Sequence, residues 1–492
     1  MKTRSRLRRV KPSKNTRRSL GLASPSRKEI FTLSGTFLAL VLIYGIDLNQ
    51  GAPALVVFWQ TWAARVLSLG LLLMGFSAYL WIRHPHLFQR DLDKWFLAAL
   101  VVVNGLVIQL LGSISPFSPY LIPVSLSVGL VVMFFGSEVG LVFGLMFSGL
   151  AALSTWGSLS SDVALVLFAG TMVMVMRARR LERQRELILI GLEVGLVNIA
   201  ALFTLTLASN LSSWNWLQFA VAGINGPINA LLLMGLVPLA EYLLQRTSPL
   251  GLIELLNTSH PLLERLAGAP GTYQHSLSVS RLASEAARRI GADALLTQVG
   301  GLYHDIGKVA EGVQATYFAE NQRDGYNPHD DLPPNISRII LQNHVKAGLE
   351  MARESGLKDD ILQFIAQHHG TTVMRFFYLK ALRNPESNAS LSLEDYRYEG
   401  PKPQIKETAI LMISDATESA SRSAESLEQL EVTIDRIVKE WLEDGQFDEC
   451  PLTMSDFSHI KASLKDTLRS MVHTRPGNYP SAQALNAKRA KV

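Results

Sequence analysis

The stretch Leu295-Leu296-Thr297-Gln298-Val299-Gly300-Gly301-Leu302-Tyr303-His304-Asp305-Ile306-Gly307-Lys308 decides how the second half of this chain is read. Its apolar residues recur at helical spacing as far as Tyr303, and an adjacent His-Asp pair follows at the helix end. Neighbouring residues on a helix point about 100° apart, so Asp305 can bridge two metal ions while His304 holds one of them. A second adjacent pair, His368-His369, stands before Gly370 at the end of the run Ile361–Ala366. Seven of the eleven histidines fall between His260 and His369, more than a helical soluble region needs for packing.

Working outward, His275 and His344 lie in or beside amphipathic helices over Leu277–Ile290 and Ile336–Met351. Asp415 sits in the apolar helix Thr408–Ala420, where an unpaired carboxylate is costly. Imidazoles with a bridging carboxylate, and no thiolate, suit two divalent metal ions, manganese or iron first. Such a pair acidifies a shared water and clamps a phosphodiester for in-line attack. The lone Cys450 excludes an intrachain disulfide and a multi-cysteine zinc site.

Any one of these residues alone reads better as a core residue, and the order His…His-Asp…His…His-His…Asp is what makes the set specific. Lys308 is the candidate to neutralise developing phosphate charge, or to hold the water's surroundings. Thr371, Lys346 and Arg375 are further phosphate candidates, with a solvated face as the competing reading of the two cations. Tyr317, Phe318 and Tyr326 can stack on a base or pack in the core. His329-Asp330-Asp331 orders a loop or touches substrate, and His260, His459 and His473 read as structural.

The first half is different. Nearly half of the 492 residues are apolar (48%), and they concentrate between Ile30 and Leu244. Eight runs have roughly the 17 to 25 residues that a transmembrane helix needs: 30–46, 63–82, 95–112, 119–136, 138–155, 162–177, 187–208 and 217–243. The fourth and fifth are separated only by Gly136-Ser137-Glu138, so one of them is a candidate tilted or re-entrant element. No small-residue cleavage site follows Ile46, which favours a first transmembrane helix over a signal peptide. The N-terminal arm, Arg83–Lys94 and Arg177–Arg185 are basic, whereas 113–118, 156–161 and 209–216 lack Lys and Arg. With the N-terminus inside, eight crossings keep all basic segments and the second half in the cytoplasm. Pro227 and Pro238 should kink the last span. Asn210, Asn215, Asn225 and Asn229 serve interhelical hydrogen bonding or a ligand pocket.

The expected architecture is all-α: a basic arm (1–29), a polytopic transmembrane bundle (30–244), a soluble helical domain (245–474) and a basic disordered tail (475–492). Irregular loops are expected over 311–334 and 383–406.

The string His304-Asp305-Ile306-Gly307-Lys308 resembles the signature of HD-domain phosphohydrolases. Longer strings resemble the seven-transmembrane, PgpH-like class of these proteins over about 248–423. They include Ala269-Pro270-Gly271-Thr272-Tyr273-Gln274-His275-Ser276, Tyr317-Phe318-Ala319-Glu320-Asn321-Gln322 and Tyr398-Glu399-Gly400-Pro401-Lys402-Pro403-Gln404. The resemblance implies a bacterial inner-membrane, multi-pass enzyme that hydrolyses cyclic di-AMP to 5′-pApA by metal-bridged hydroxide attack. It implies one metal held by His275, His304, Asp305 and Asp415, and a second held by Asp305, His344, His368 and His369. The expected partners are a cyclic dinucleotide and the lipid bilayer, with no nucleic-acid polymer; a homo-oligomer is left open. The family's large extracytoplasmic domain has no room between the first two spans, where about sixteen residues, Asp47–Trp62, intervene. The rivals are an HD enzyme for cyclic di-GMP or a nucleotide phosphate, and a nucleotide-binding membrane receptor or scaffold. Gly370-Thr371 after His369, where the cyclic di-GMP class carries Gly-Tyr-Pro, weakens the cyclic di-GMP version.

Overall fold

The computed structural model of the protein describes residues 27–45, 55–88, 90–113, 119–154, 160–181, 183–208, 214–322, 326–383, 391–424 and 426–471. Most of the N-terminal arm, the connection 46–54, Asn210, His473 and the basic tail lie outside the described residues. Two compact units result: Met1–Arg179 with Arg185–Leu244, and Arg180–Gln184 with Gln245–Val492. Both are all-α; an isolated bridge between Val373 and Arg397 is the one extended pairing among the described residues.

The first unit contains α1 (Arg27–Gly45), α2 (Leu55–Arg83), α3 (Asp91–Ser113), α4 (Val124–Phe135), α5 (Ser137–Ser154), α6 (Ser160–Arg177), α7 (Arg185–Ala208) and α8 (Trp216–Leu244). Each overlaps one of the eight apolar runs. Four of them, α2, α3, α7 and α8, contain a window long and apolar enough to cross a membrane. Helix α4 has 12 residues, so it rises only about 18 Å against a hydrocarbon core of about 30 Å. It ends at Gly136, whose φ of 91° interrupts the path into α5. The soft boundary seen in the sequence is therefore a real break.

The bundle's outer surface is apolar: Leu67, Leu71, Leu196 and Leu231 are all more than 60% exposed. Its interior carries amides and hydroxyls. Asn229 donates to Ser125 Oγ (2.8 Å) and Asn225 Oδ1 (2.9 Å), and Asn225 donates to the Ile122 carbonyl (3.2 Å). Ser127 donates to Asn104 (2.8 Å). This inversion suits a hydrocarbon solvent, where polar groups must find partners inside the protein. Asn215 instead accepts from the backbone of Leu217 and caps α8. Pro227 and Pro238 both lie within α8, which is helical throughout. Pro227 has no N–H for the Gly223 carbonyl, and that carbonyl faces Gly195 of α7, where a Cβ would lie 2.2 Å from it. Only glycine allows this approach.

The second unit contains α9 (Pro249–Leu255), α10 (Pro261–Ala267), α11 (Pro270–Arg289), α12 (Ala294–Tyr303), α13 (Pro334–Glu354), α14 (Asp359–Gln367), α15 (Arg375–Leu382), α16 (Lys406–Ser421), α17 (Leu427–Glu443) and α18 (Met454–Met471). Helix α16 is the central element, with every residue from Thr408 to Asp415 buried. Val279, Leu282 and Ala286 of α11, Ile434 of α17 and Leu464 of α18 pack in its core. A second core joins Leu262 and Leu266 of α10 to Val299 and Leu302 of α12 and Ile361 and Ile365 of α14. The segment after α12 is irregular, as expected, and carries short 3-10 turns at Ile306–Val309, Ala315–Tyr317, Ala319–Asn321 and Pro328–Asp330.

Candidate metal centre

Five histidines and two aspartates from five helices and their ends converge in this unit. Helix α12 stops at Tyr303, His304 follows as its C-cap, and Asp305 opens the turn Ile306–Val309. That turn lies tight on α13: a Cβ at Gly307 would sit 1.8 Å from the His344 carbonyl. The glycine is what brings Asp305 and His344 together. Helix α14 stops at Gln367, with His368 as its C-cap. His275 comes from α11 and Asp415 from α16.

The ligand atoms of His275, His304 and Asp415 lie within 4.8 Å of one another, and so do those of His344, His368 and His369. Asp305 stands between the two groups. Its Oδ2 is 3.2 Å from His304 Nε2 and 3.5 Å from His275 Nε2. Its Oδ1 is 3.5 Å from His344 Nε2 and 3.6 Å from His368 Nε2. His275 Nε2 is also 3.0 Å from Asp415 Oδ1. All of these residues are buried except His369, which is partly exposed.

The donor set fits cations. His344 Nδ1 faces the Leu341 carbonyl (2.5 Å), and His368 Nδ1 faces that of Ile365 (2.9 Å). A carbonyl only accepts, so each Nδ1 carries the proton and each Nε2 a lone pair. Those two Nε2 atoms are 3.2 Å apart, an arrangement that a shared cation stabilises. His304 repeats the pattern, its Nδ1 facing the Gly301 carbonyl (2.9 Å). His304 Nε2 and Asp305 Oδ1 are buried without a hydrogen-bond partner, as atoms reserved for another species would be.

Charge is divided unevenly. Burial disfavours charge on His368, aided by the neighbouring His304, and holds it down at about 3. Burial likewise lowers His344 and His369. Burial also opposes charge on His275, yet its bonds to Asp415 and Glu418 lift it to about 10. For Asp305 burial raises the carboxyl, but His304 and Lys308 outweigh it and hold it well below the usual range.

Lys308 is buried, with its ammonium 2.6 Å from Asp305 Oδ2 and 2.8 Å from Glu320 Oε1. Glu320 also accepts from Thr272 Oγ1 (2.9 Å). The Asn321 amide takes the free Thr272 N–H at the start of α11 and donates to its hydroxyl (2.7 Å). Glu320 and Asn321 thus tie the loop to the helix that carries His275. Neither had a role in the sequence reading, although both stand in one of its quoted strings. Two further residues were missed. Tyr398 stacks on His369 (centroids 4.2 Å apart), and Glu418 accepts from His275 Nδ1 (2.5 Å). Glu418 lies one helical turn past Asp415, which was a usable signal; Tyr398 lies in irregular chain.

The substrate candidates separate. Thr371 and Tyr398 line an open groove of about 570 Å³ in which the cations Arg338, Arg397 and Lys402 stand among the carboxylates Glu394, Asp395, Glu399 and Asp444. Arg375 is exposed and pairs with Glu440 at 3.3 Å, and Lys346 is exposed and pairs with Glu399. Tyr317 packs on His329, whose Nε2 donates to the Tyr317 carbonyl (2.9 Å). His329 is therefore a loop-ordering residue. Phe318 is 3% exposed, with its ring beside His344 and under the Lys308 ammonium, so it has no free face for a base. Tyr326 is exposed and donates to Asp331. His260 caps α10 through Nδ1, as a structural residue does.

Comparison with known proteins agrees with this layout. Residues 59–248 match the family described as "7TM receptor with intracellular HD hydrolase", and residues 272–420 match the HD domain. The chain is 41% identical over 318 residues to the cyclic-di-AMP phosphodiesterase PgpH of Listeria monocytogenes, covering 63% of this chain and 43% of the relative. It is 38% identical over 298 residues to PgpH of Bacillus subtilis, covering 59% and 41%. An uncharacterized Synechocystis protein is 34% identical over 366 residues, covering 71% and 44%. The chain thus spans under half the length of these relatives. A crystal structure of the L. monocytogenes PgpH HD domain with cyclic-di-AMP is 45% identical, covering 44% of this chain and 99% of that one, at a TM-score of 0.41. In one chain, a region similar to the seven-transmembrane family is thus followed by a region similar to the HD domain.

Proposed function

We propose that the protein is a membrane-bound phosphodiesterase that hydrolyses cyclic di-AMP to 5′-pApA, with its HD domain on the cytoplasmic side. The observation that carries this reading is the pair of three-residue ligand groups meeting at Asp305. The relatives named as cyclic-di-AMP phosphodiesterases, at 41% and 38% identity, support the choice of substrate. In this reading His275, His304, Asp305 and Asp415 hold one ion, and Asp305, His344, His368 and His369 the other. Two divalent ions, manganese or iron, supply Lewis acidity toward the phosphodiester and toward water when bound.

The chain's own residues prepare that chemistry. Backbone carbonyls keep the Nδ1 protons of His304, His344 and His368 away from the centre, so their Nε2 lone pairs face inward. Lys308 holds Asp305 Oδ2 in place and offsets negative charge beside the ligands. The groove at Thr371 and Tyr398 adjoins His369 and accepts part of the dinucleotide. The basic segments Arg83–Lys94 and Arg177–Arg185 favour the cytoplasmic orientation.

The full chain, purified in detergent and supplied with manganese, should linearise cyclic di-AMP. The double variant His304→Ala, Asp305→Ala should show none of this activity, and full activity in it would refute the site. Cyclic di-GMP competing as well as cyclic di-AMP would overturn the substrate assignment and leave the chemistry standing.

A further inference from the structure

The five histidines are not oriented alike. His304, His344 and His368 direct Nδ1 at backbone carbonyls of Gly301, Leu341 and Ile365. His275 directs Nδ1 at a carboxylate, Glu418 Oε2, at 2.5 Å. Glu418 is only 7% exposed. It is held in turn by Arg422, whose Nε and Nη2 donate to its two oxygens at 2.8 to 3.2 Å. Both residues lie on or at the end of α16, the helix that supplies Asp415. A surface ion pair one helical turn apart requires neither burial nor a third partner. Here Glu418 is buried while Arg422 reaches it from the surface, and the carboxylate also holds a ring whose other nitrogen faces Asp415 and Asp305.

A carboxylate behind an imidazole fixes the ring and raises its basicity toward a cation more than a neutral carbonyl does. The same half of the site contains Asp415 as well as the shared Asp305, whereas the other half adds only imidazoles to Asp305. More anionic oxygen and a more basic ring both favour a divalent cation.

We propose that Glu418 is a positioning residue that makes the two metal positions unequal: the position at His275, His304 and Asp415 fills first and more tightly than the one at His344, His368 and His369. The proposal rests on the two-metal reading and adds an order of loading and the residue that sets it.

The test is a manganese titration of the full chain in detergent, stripped of metal beforehand, with bound ions counted calorimetrically and by elemental analysis. The wild type should show two classes of site. Glu418→Gln should weaken the tight class by about 10- to 100-fold and leave the weak class unmoved. His344→Ala should remove the weak class and keep the tight one. Should Glu418→Gln fail to fold, as judged by circular dichroism without metal, Arg422→Gln replaces it; it keeps the carboxylate but frees it to move, and should loosen the tight class alone by a smaller factor. Two equal sites in the wild type, a Glu418→Gln effect on both classes or on neither, or loss of the tight class in His344→Ala would each overturn the proposal while leaving the two-metal reading intact. A wild-type chain that binds no manganese would overturn that reading, and this proposal with it.

Discussion

The membrane bundle and the HD unit each contain a buried polar cluster, and these two clusters are completed in opposite ways. In the bundle Asn229, Asn225 and Ser125 bond to each other, and Asn225 reaches the carbonyl of Ile122. This polar group closes on itself and fastens α8 to the segment that leads into α4. In the HD unit the buried cluster does not close: His304 Nε2 and Asp305 Oδ1 lack partners, and two Nε2 lone pairs face each other at 3.2 Å. Burial and polarity are shared; completion is not. The cluster that satisfies itself acts as structural glue, whereas the one that leaves several converging nitrogen and oxygen atoms open is shaped for a ligand.

The sharpest way to break that contrast is at Asp305. Asp305→Asn keeps the shape and removes the charge that both halves of the site share. It should reduce bound manganese from two ions per chain to fewer than one and abolish phosphodiesterase activity. Elemental analysis of the purified chain reads the first effect. Two retained ions would mean that the halves are independent sites, and the bridging role of Asp305 would fall.

Lys308→Met comes next. It leaves Glu320 and Asp305 buried without their cation. Removing one partner of a buried ion pair costs about 3–5 kcal/mol. Calorimetric melting without metal should show that loss. With manganese the loss should shrink, because bound cations compensate Asp305 and leave only Glu320 uncovered. An equal loss with and without metal would show that Lys308 serves the loop alone.

How much of this was legible beforehand follows the same divide. The convergence of the seven candidate residues could be read because each stands at a helix end or within a helix, where residue type and spacing decide the direction a side chain takes. Each of the eight apolar runs coincides with a helix, but among the described residues only four of those helices are long and apolar enough to cross a membrane, so length in the sequence overstated the spans. The shortness of α4 was harder, because it depends on the backbone of Gly136, which a count of apolar residues ignores. The irregular chain after α12 hid the rest. Phe318 looked like a base platform as readily as a core residue, and only its packing beside His344 decides for the core. Glu320 and Asn321 act through contacts to Thr272, nearly fifty residues away, which no local pattern encodes. Tyr398 reaches His369 by the same kind of long-range approach.

The smallest expected effect lies in the bundle, and it tests the other side of the contrast. Asn229→Leu removes two buried hydrogen bonds and inserts an apolar side chain of similar size. Interhelical hydrogen bonds in membranes are worth about 0.6 kcal/mol on average and reach about 1–2. The variant should therefore melt slightly earlier, with bound manganese and the rate of cyclic di-AMP hydrolysis unchanged. Glue behaves this way, because its loss is felt where the helices meet and not at a site in another unit. A changed rate or metal content at unaltered stability would mean that the amide group transmits to the HD unit, and the alternative reading of these asparagines as a ligand pocket would replace the structural one.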